Sequence, residues 1–149
     1  MYSGAVPGSV ESIAVASKES ELPGAVDEIE VTGRGLVGDR YGDAGDITLI
    51  ASEALDGLRA DTGIQLSHEA SRRQVLTRGI DLNALVGQRF TVGSVECEGA
   101  ELCEPCNHLQ SLTKQGVLRG LVHRGGLRAD IIRPGRIAVG DRITPGGGE

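Results

Sequence analysis

Short alternations of apolar and polar residues dominate the first quarter of the chain. Residues Val10 to Val15 form one run and Val26 to Val31 another, with Ile29 and Val31 on one parity, and each run ends in polar or glycine-containing sequence. Period two over so few residues predicts strands. The stretch Thr32 to Asp46 is glycine-rich and charged and reads as a long loop, after which Ile47 to Ile50 predicts a short buried strand. A helix follows, with Ser52 as its expected cap, Leu55 and Leu58 at helical spacing, and Gly63 beyond its end. Further strands are expected at Val75 to Thr77, Arg89 to Val92, Val95 to Cys97, Leu127 to Ile132 and Arg136 to Val139. Between the first two of these, Asp81 caps a turn of helix at Leu82 to Leu85. Glu104 to Gly116 is the best helix candidate, since Pro105 suits the first helical position and Gly116 ends it; a second helix is expected at Val117 to Val122.

Many short strands, frequent glycine turns and two or three inserted helices predict a mainly β protein with a few helices (α+β). The expected architecture is a β-barrel or strongly bent sheet, not a doubly wound α/β fold. A length of 149 residues fits a single domain over residues 1–149. Its core runs from about residue 8 to 144, and 145–149 form a glycine-rich tail.

Composition sharpens this picture. Glycine accounts for 23 residues and aromatics for only 2%, so the core must be aliphatic and the chain must turn often. So few aromatics also remove the stacking surfaces used to hold single-stranded nucleic acid. The formal net charge of −6 argues against general phosphate-backbone binding, so no nucleic-acid partner is expected. That charge is unevenly spread: residues 1–61 carry net −8, whereas residues 107–142 set seven cations against Asp130 and Asp141. A local anion site fits the second segment. The N-terminus lacks a signal-peptide pattern, no stretch approaches the ~18 apolar residues of a membrane span, and three clustered cysteines do not make a disulfide framework. A cytoplasmic protein with reduced thiols and no membrane partner is expected.

Two motifs fail on context. Gly33-Arg34-Gly35-Leu36-Val37-Gly38 matches the G-x-G-x-x-G fingerprint, but a poor helix former follows the third glycine, so neither NAD nor FAD is expected. Asp39, Asp43 and Asp46 suggest calcium, yet Ile50 stands where an EF-hand loop needs its bidentate Glu.

Cys103-Glu104-Pro105-Cys106 carries more chemistry. If Pro105 opens a helix, Cys106 lies in its first turn, where unpaired backbone N–H groups favour a thiolate, a nucleophile or a soft-metal ligand. Cys106 also shares a helical face with Leu109 and Leu112, so a small buried hydrophobe is an equal alternative. Cys97, Cys103, Cys106 and His108 offer a minority zinc reading, weakened because Cys106 and His108 point apart on a helix. His123-Arg124-Gly125-Gly126-Leu127-Arg128 combines two cations with a glycine pair able to present N–H groups to an anion, and Arg72, Arg73 and Arg78 add guanidiniums suited to phosphate.

In order along the chain, several of these pieces resemble the MOSC domain family, named after the C-terminal domain of molybdenum cofactor sulfurase. The matching residues are Gly35 to Tyr41, Arg72 to Asn83, Leu85 to Phe90, Cys103 to Cys106, and His123 to Ala129. The resemblance implies a MOSC-type β-barrel and a pocket for the molybdenum cofactor, a pterin dithiolene bearing a phosphate. It places the reactive, sulfur-carrying or molybdenum-ligating cysteine at Cys106, with Cys103 as an auxiliary thiol. It assigns cofactor contacts to Arg72, Arg73, Gln74, Thr77, Arg78, Asn83, His123 and Arg124, Gln74 standing where the family pattern has Asn. The implied partner is a pyridoxal-phosphate-dependent cysteine desulfurase, or a reductase, since larger relatives carry modules not seen in these residues. The rival expectation is a non-enzymatic barrel that binds an anionic ligand and whose cysteines are structural.

Overall fold

The structure is a computed structural model and describes residues 8–16, 24–39, 45–71, 73–103 and 125–146. Its strands are β1 (Gly8–Val15), β2 (Gly24–Val26), β3 (Glu28–Thr32), β4 (Gly35–Leu36), β5 (Asp46–Ala51), β6 (Val75–Arg78), β7 (Arg89–Val92), β8 (Val95–Leu102), β9 (Leu127–Arg133), β10 (Gly135–Ala138) and β11 (Arg142–Pro145). Two helices, α1 (Ser52–Thr62) and the single turn α2 (His68–Ser71), lie between β5 and β6. A 3-10 turn at Leu82–Leu85 precedes β7.

Seven strands close into a barrel in the order β11, β7, β8, β9, β5, β6, β1, with β1 pairing back to β11 through Gly8–Ile143 and Ser9–Arg142. Closure removes the open edges that an extended sheet would leave. Strand β2 adds to β1 as an eighth member, and β10, β3 and β4 form a separate three-stranded sheet. Strands β5 and β6 pair in parallel, because α1 and α2 supply the crossover that such a pair requires.

The barrel interior is aliphatic, as the composition demands. Val10, Ile13, Ile47, Leu49, Val75, Val92, Leu127, Ala129 and Ile143 pack around Phe90, the largest fully buried side chain. Leu58 and Leu66 form a smaller cluster under α1.

Several elements differ from expectation. The predicted strand Val26 to Val31 is broken at Asp27, where the chain leaves the barrel sheet and enters the small one. The predicted loop Thr32 to Asp46 contains β4, a two-residue strand too short to show a period. The terminal tail starts later than expected, since Pro145 pairs with Phe90 at the end of β11. Ser52 does not cap α1: Ala51 occupies that position, and the Ser52 hydroxyl donates instead to Glu11 at 2.6 Å. Gly63 does end α1, with φ of 76° and its N–H on the Arg59 carbonyl, and Asp81 does cap the 3-10 turn by accepting from the Asn83 N–H. The two helices predicted within 104–122 lie outside the described residues.

Candidate functional site on the outer face of the barrel

Alternation decides which side chains meet outside the barrel. Ile47 and Leu49 on β5 and Leu127 and Ala129 on β9 face the core, so Asp46, Thr48, Arg128 and Asp130 face the other side. Register then sets Thr48, Arg128 and Glu101 in one row across β5, β9 and β8. Arg128 reaches Glu101 at 3.1 Å, Asp130 at 3.3 Å and Asp46 at 3.4 Å, and the hydrogen bond to Glu101 does most to hold its pKa above the ordinary value.

Cys103 follows β8 at the end of this row and is partly buried. Its N–H donates to the Gly126 carbonyl at 2.7 Å. Arg73 donates from Nε to the Gly125 carbonyl at 2.7 Å and from Nη2 to the Cys103 carbonyl at 3.4 Å. Three stretches that are far apart in sequence therefore meet here: the arginine motif, the cysteine motif and the glycine turn. The turn also needs its glycine. Gly126 has φ of 109°, and a Cβ there would collide with the Leu49 carbonyl oxygen.

Burial pushes the Cys103 thiol up, opposed first by Arg73 and then by Arg128, with Glu101 and Asp46 adding to the rise. Cys103 is therefore a neutral thiol at pH 7. Cys97 contrasts with it. Set among Phe90 and Ile131 in the core at 0% exposure, its thiol is pushed up to about 12 by desolvation, with Glu96 adding to the rise. Cys97 thus behaves as a core hydrophobe, which removes one of the four ligands of the zinc reading. Among the described residues no group of three or more His, Cys, Asp and Glu is placed to hold a metal ion.

The other predicted contacts take varied positions. Gln74 is buried and fully tied into the protein. Its Oε1 accepts from the Thr48 N–H at 2.9 Å, its Nε2 donates to Asp39 at 2.9 Å, and its own N–H donates to the Thr48 hydroxyl at 3.0 Å. Asp39, which sequence reasoning treated as a calcium candidate, also accepts from the Ala16 N–H at 2.9 Å and so pins the glycine-rich loop to β1. Thr77 is sealed in β6 at 0% exposure. Arg78 is exposed and pairs with Glu11 at 2.9 Å and Asp56 at 3.5 Å. Asn83 lines a groove of about 520 Å³ with Ala51, Glu53, Ala54, Asp81 and Gly126, so this groove shares the glycine turn with Cys103. Cys106, Arg72, His123 and Arg124 lie outside the described residues. Arg128, expected as a cation of the anion-binding turn, is instead a charge hub paired with three carboxylates, its alternation with Leu127 and Ala129 marking it as outward-facing.

A seven-strand barrel with this loop, arginine and cysteine order defines a family. The MOSC domain model matches residues 38–144, and the chain belongs to that family. In fold it is similar to the YuaD protein from Bacillus subtilis, with a TM-score of 0.81 and 17% identity over 97% of this chain and 98% of that one. It is also similar to YiiM from Geobacillus stearothermophilus (TM-score 0.77, 14% identity, 93% of this chain and 74% of that one). YiiM from Escherichia coli gives 0.70 at 16% identity, over 95% and 71% of the two chains. No curated protein matches the chain. Among the described residues no helix is long and apolar enough to cross a membrane.

Proposed function

We propose that the chain works as a single-domain, standalone MOSC protein that binds the molybdenum cofactor, or carries sulfur for metal–sulfur chemistry, on Cys106, with Cys103 as auxiliary thiol. The observation that carries this reading is the meeting of Arg73, Cys103 and the Gly125–Gly126 turn. Four further residues that the family resemblance assigns are sequence neighbours of that cluster: Arg72 precedes Arg73, His123 and Arg124 precede Gly125, and Cys106 is three residues beyond Cys103.

The described residues fit an anionic group beside Arg73. Arg128 is balanced by Asp46, Glu101 and Asp130, whereas Arg73 makes no ion pair among the described residues and spends only Nε and Nη2 on carbonyls. The guanidinium fork is suited to a phosphate. When bound, the cofactor supplies a redox-active metal held on sulfur. The protein supplies the cations, the glycine turn and the thiols, and Cys103 holds its proton at neutral pH.

For sulfur carriage, the Cys106 thiolate attacks the outer sulfur of a desulfurase persulfide. The donor's S–S bond breaks, a new one forms on Cys106, and the donor cysteine leaves as a thiolate, with no net oxidation. A cysteine desulfurase is the natural donor and a reductase the natural partner for redox turnover, both in the cytoplasm.

Protein purified from a molybdenum-sufficient host should contain molybdenum and pterin, or accept persulfide sulfur, and Cys106→Ser should lose whichever is found. Absence of molybdenum and pterin together with unchanged persulfide labelling in Cys106→Ser refutes the proposal. It would favour the rival barrel with structural cysteines, for which Cys106→Ala lowers stability alone.

A further inference from the structure

Arg73 is held from behind. Its own N–H donates to the Ser71 hydroxyl at 3.3 Å, and the next residue, Gln74, is locked between Thr48 and Asp39. From this fixed base the guanidinium reaches two carbonyls on different strands' ends, Cys103 after β8 and Gly125 before β9. Among the described residues, the β8–β9 ladder ends at Leu102–Leu127, and a further backbone bond, Cys103 to Gly126, joins the ends of the two strands.

We propose that Arg73 is a positioning residue, a clamp that fixes the Cys103 backbone against the Gly125–Gly126 turn and so sets the environment of the thiol. This deepens the functional reading above, since it rests on the same meeting of Arg73, Cys103 and the glycine turn. A lysine cannot replace it, because one ammonium does not reproduce a planar fork directed at two acceptors. Among the described residues the charged groups beside the thiol are Arg73, Arg128, Glu101 and Asp46, and Arg128 is shared among three carboxylates, so of these Arg73 is the cation whose removal changes the local field most.

The test needs no cofactor, so it stands or fails apart from molybdenum or sulfur binding. In the full chain carrying Cys106→Ser, alkylation by iodoacetamide reads Cys103, because Cys97 is sealed. Arg73→Met should move the alkylation pH profile up by about one unit, slowing the reaction at pH 8 about tenfold. It should also speed hydrogen exchange of the Cys103 amide by about tenfold. Arg73→Lys should bring the pH profile back toward the starting protein while the amide still exchanges fast, which separates charge from clamp. If Arg73→Met does not fold, fast exchange at Cys103 in Arg73→Lys supports the clamp, and exchange unchanged from the starting protein overturns it. Unchanged pH profile and exchange in Arg73→Met also overturn the proposal, as does a lower melting temperature in both variants with the pH profile unmoved.

Discussion

Cys97 and Cys103 are six residues apart at and just beyond the same strand, yet they belong to different chemical worlds. Cys97 faces the barrel interior, where no cation offsets its desolvation and its thiol is pushed up to about 12. Cys103 sits outside the barrel beside Arg73 and Arg128, which oppose the effect of burial. A register irregularity between Gly99 and Glu101 separates the two. The lesson is a division of labour between faces: the interior fixes the fold with aliphatic packing, and the outer row on β5, β9 and β8 gathers charge, thiol and turn.

The largest expected effect breaks the interior side. Phe90→Ala removes the largest buried side chain and should cost about 3–5 kcal/mol in a denaturant melt. Phe90 pairs with Cys97, so the variant should also expose Cys97 to alkylation while Cys103 keeps its pH profile. Next comes the outer side. Gly126→Ala forces a side chain against the Leu49 carbonyl at positive φ, for about 2–3 kcal/mol, and should alter Cys103 alkylation with Cys97 still protected.

Gln74→Leu should cost about 1–3 kcal/mol, because Asp39 loses its Gln74 donor and the Thr48 N–H loses its acceptor. The smallest effect is at Glu11, whose carboxyl is held below its ordinary value first by the Ser52 hydroxyl, then by Arg78. A carboxylate with a depressed folded-state pKa stabilises above its unfolded value, and that contribution is lost as pH falls through the folded one. Glu11→Gln should therefore lower the melting temperature at pH 7 by about 1 °C and flatten its decline in acid below the ordinary value of 4.5.

Much of the barrel was legible because period-two alternation survives in β1, β5, β7 and β9, where one face is core. What was hidden was local. The break at Asp27 and the two-residue β4 carry no periodicity, and their placement comes from pairing with β10 and β3. Ser52 looked like a cap because helix starts favour serine, but the helix begins one residue earlier, so Ala51 holds the cap position and the Ser52 hydroxyl donates to the Glu11 carboxylate. In the site, the chain order of arginines, thiols and glycines was readable and their meeting point was not. Adjacent guanidiniums at 72 and 73 look alike in sequence, and only the fold shows Arg73 on the Cys103 and Gly125 carbonyls. Gln74 looked like a polar arm for a ligand, and the structure spends it on Asp39 and Thr48. Asp39 was set aside as a calcium ligand and read as part of the Gly35 to Tyr41 stretch, and its structural role stayed hidden because its partners Ala16 and Gln74 lie 23 and 35 residues away.

The most direct test loads the protein with sulfur from a cysteine desulfurase and free cysteine, then maps by mass spectrometry which thiol gains a sulfur atom. Sulfur on Cys106, exchangeable to Cys103 and never found on Cys97, is the predicted result. Sulfur on Cys97, or on no cysteine in protein that also lacks molybdenum and pterin, would contradict a functional outer face.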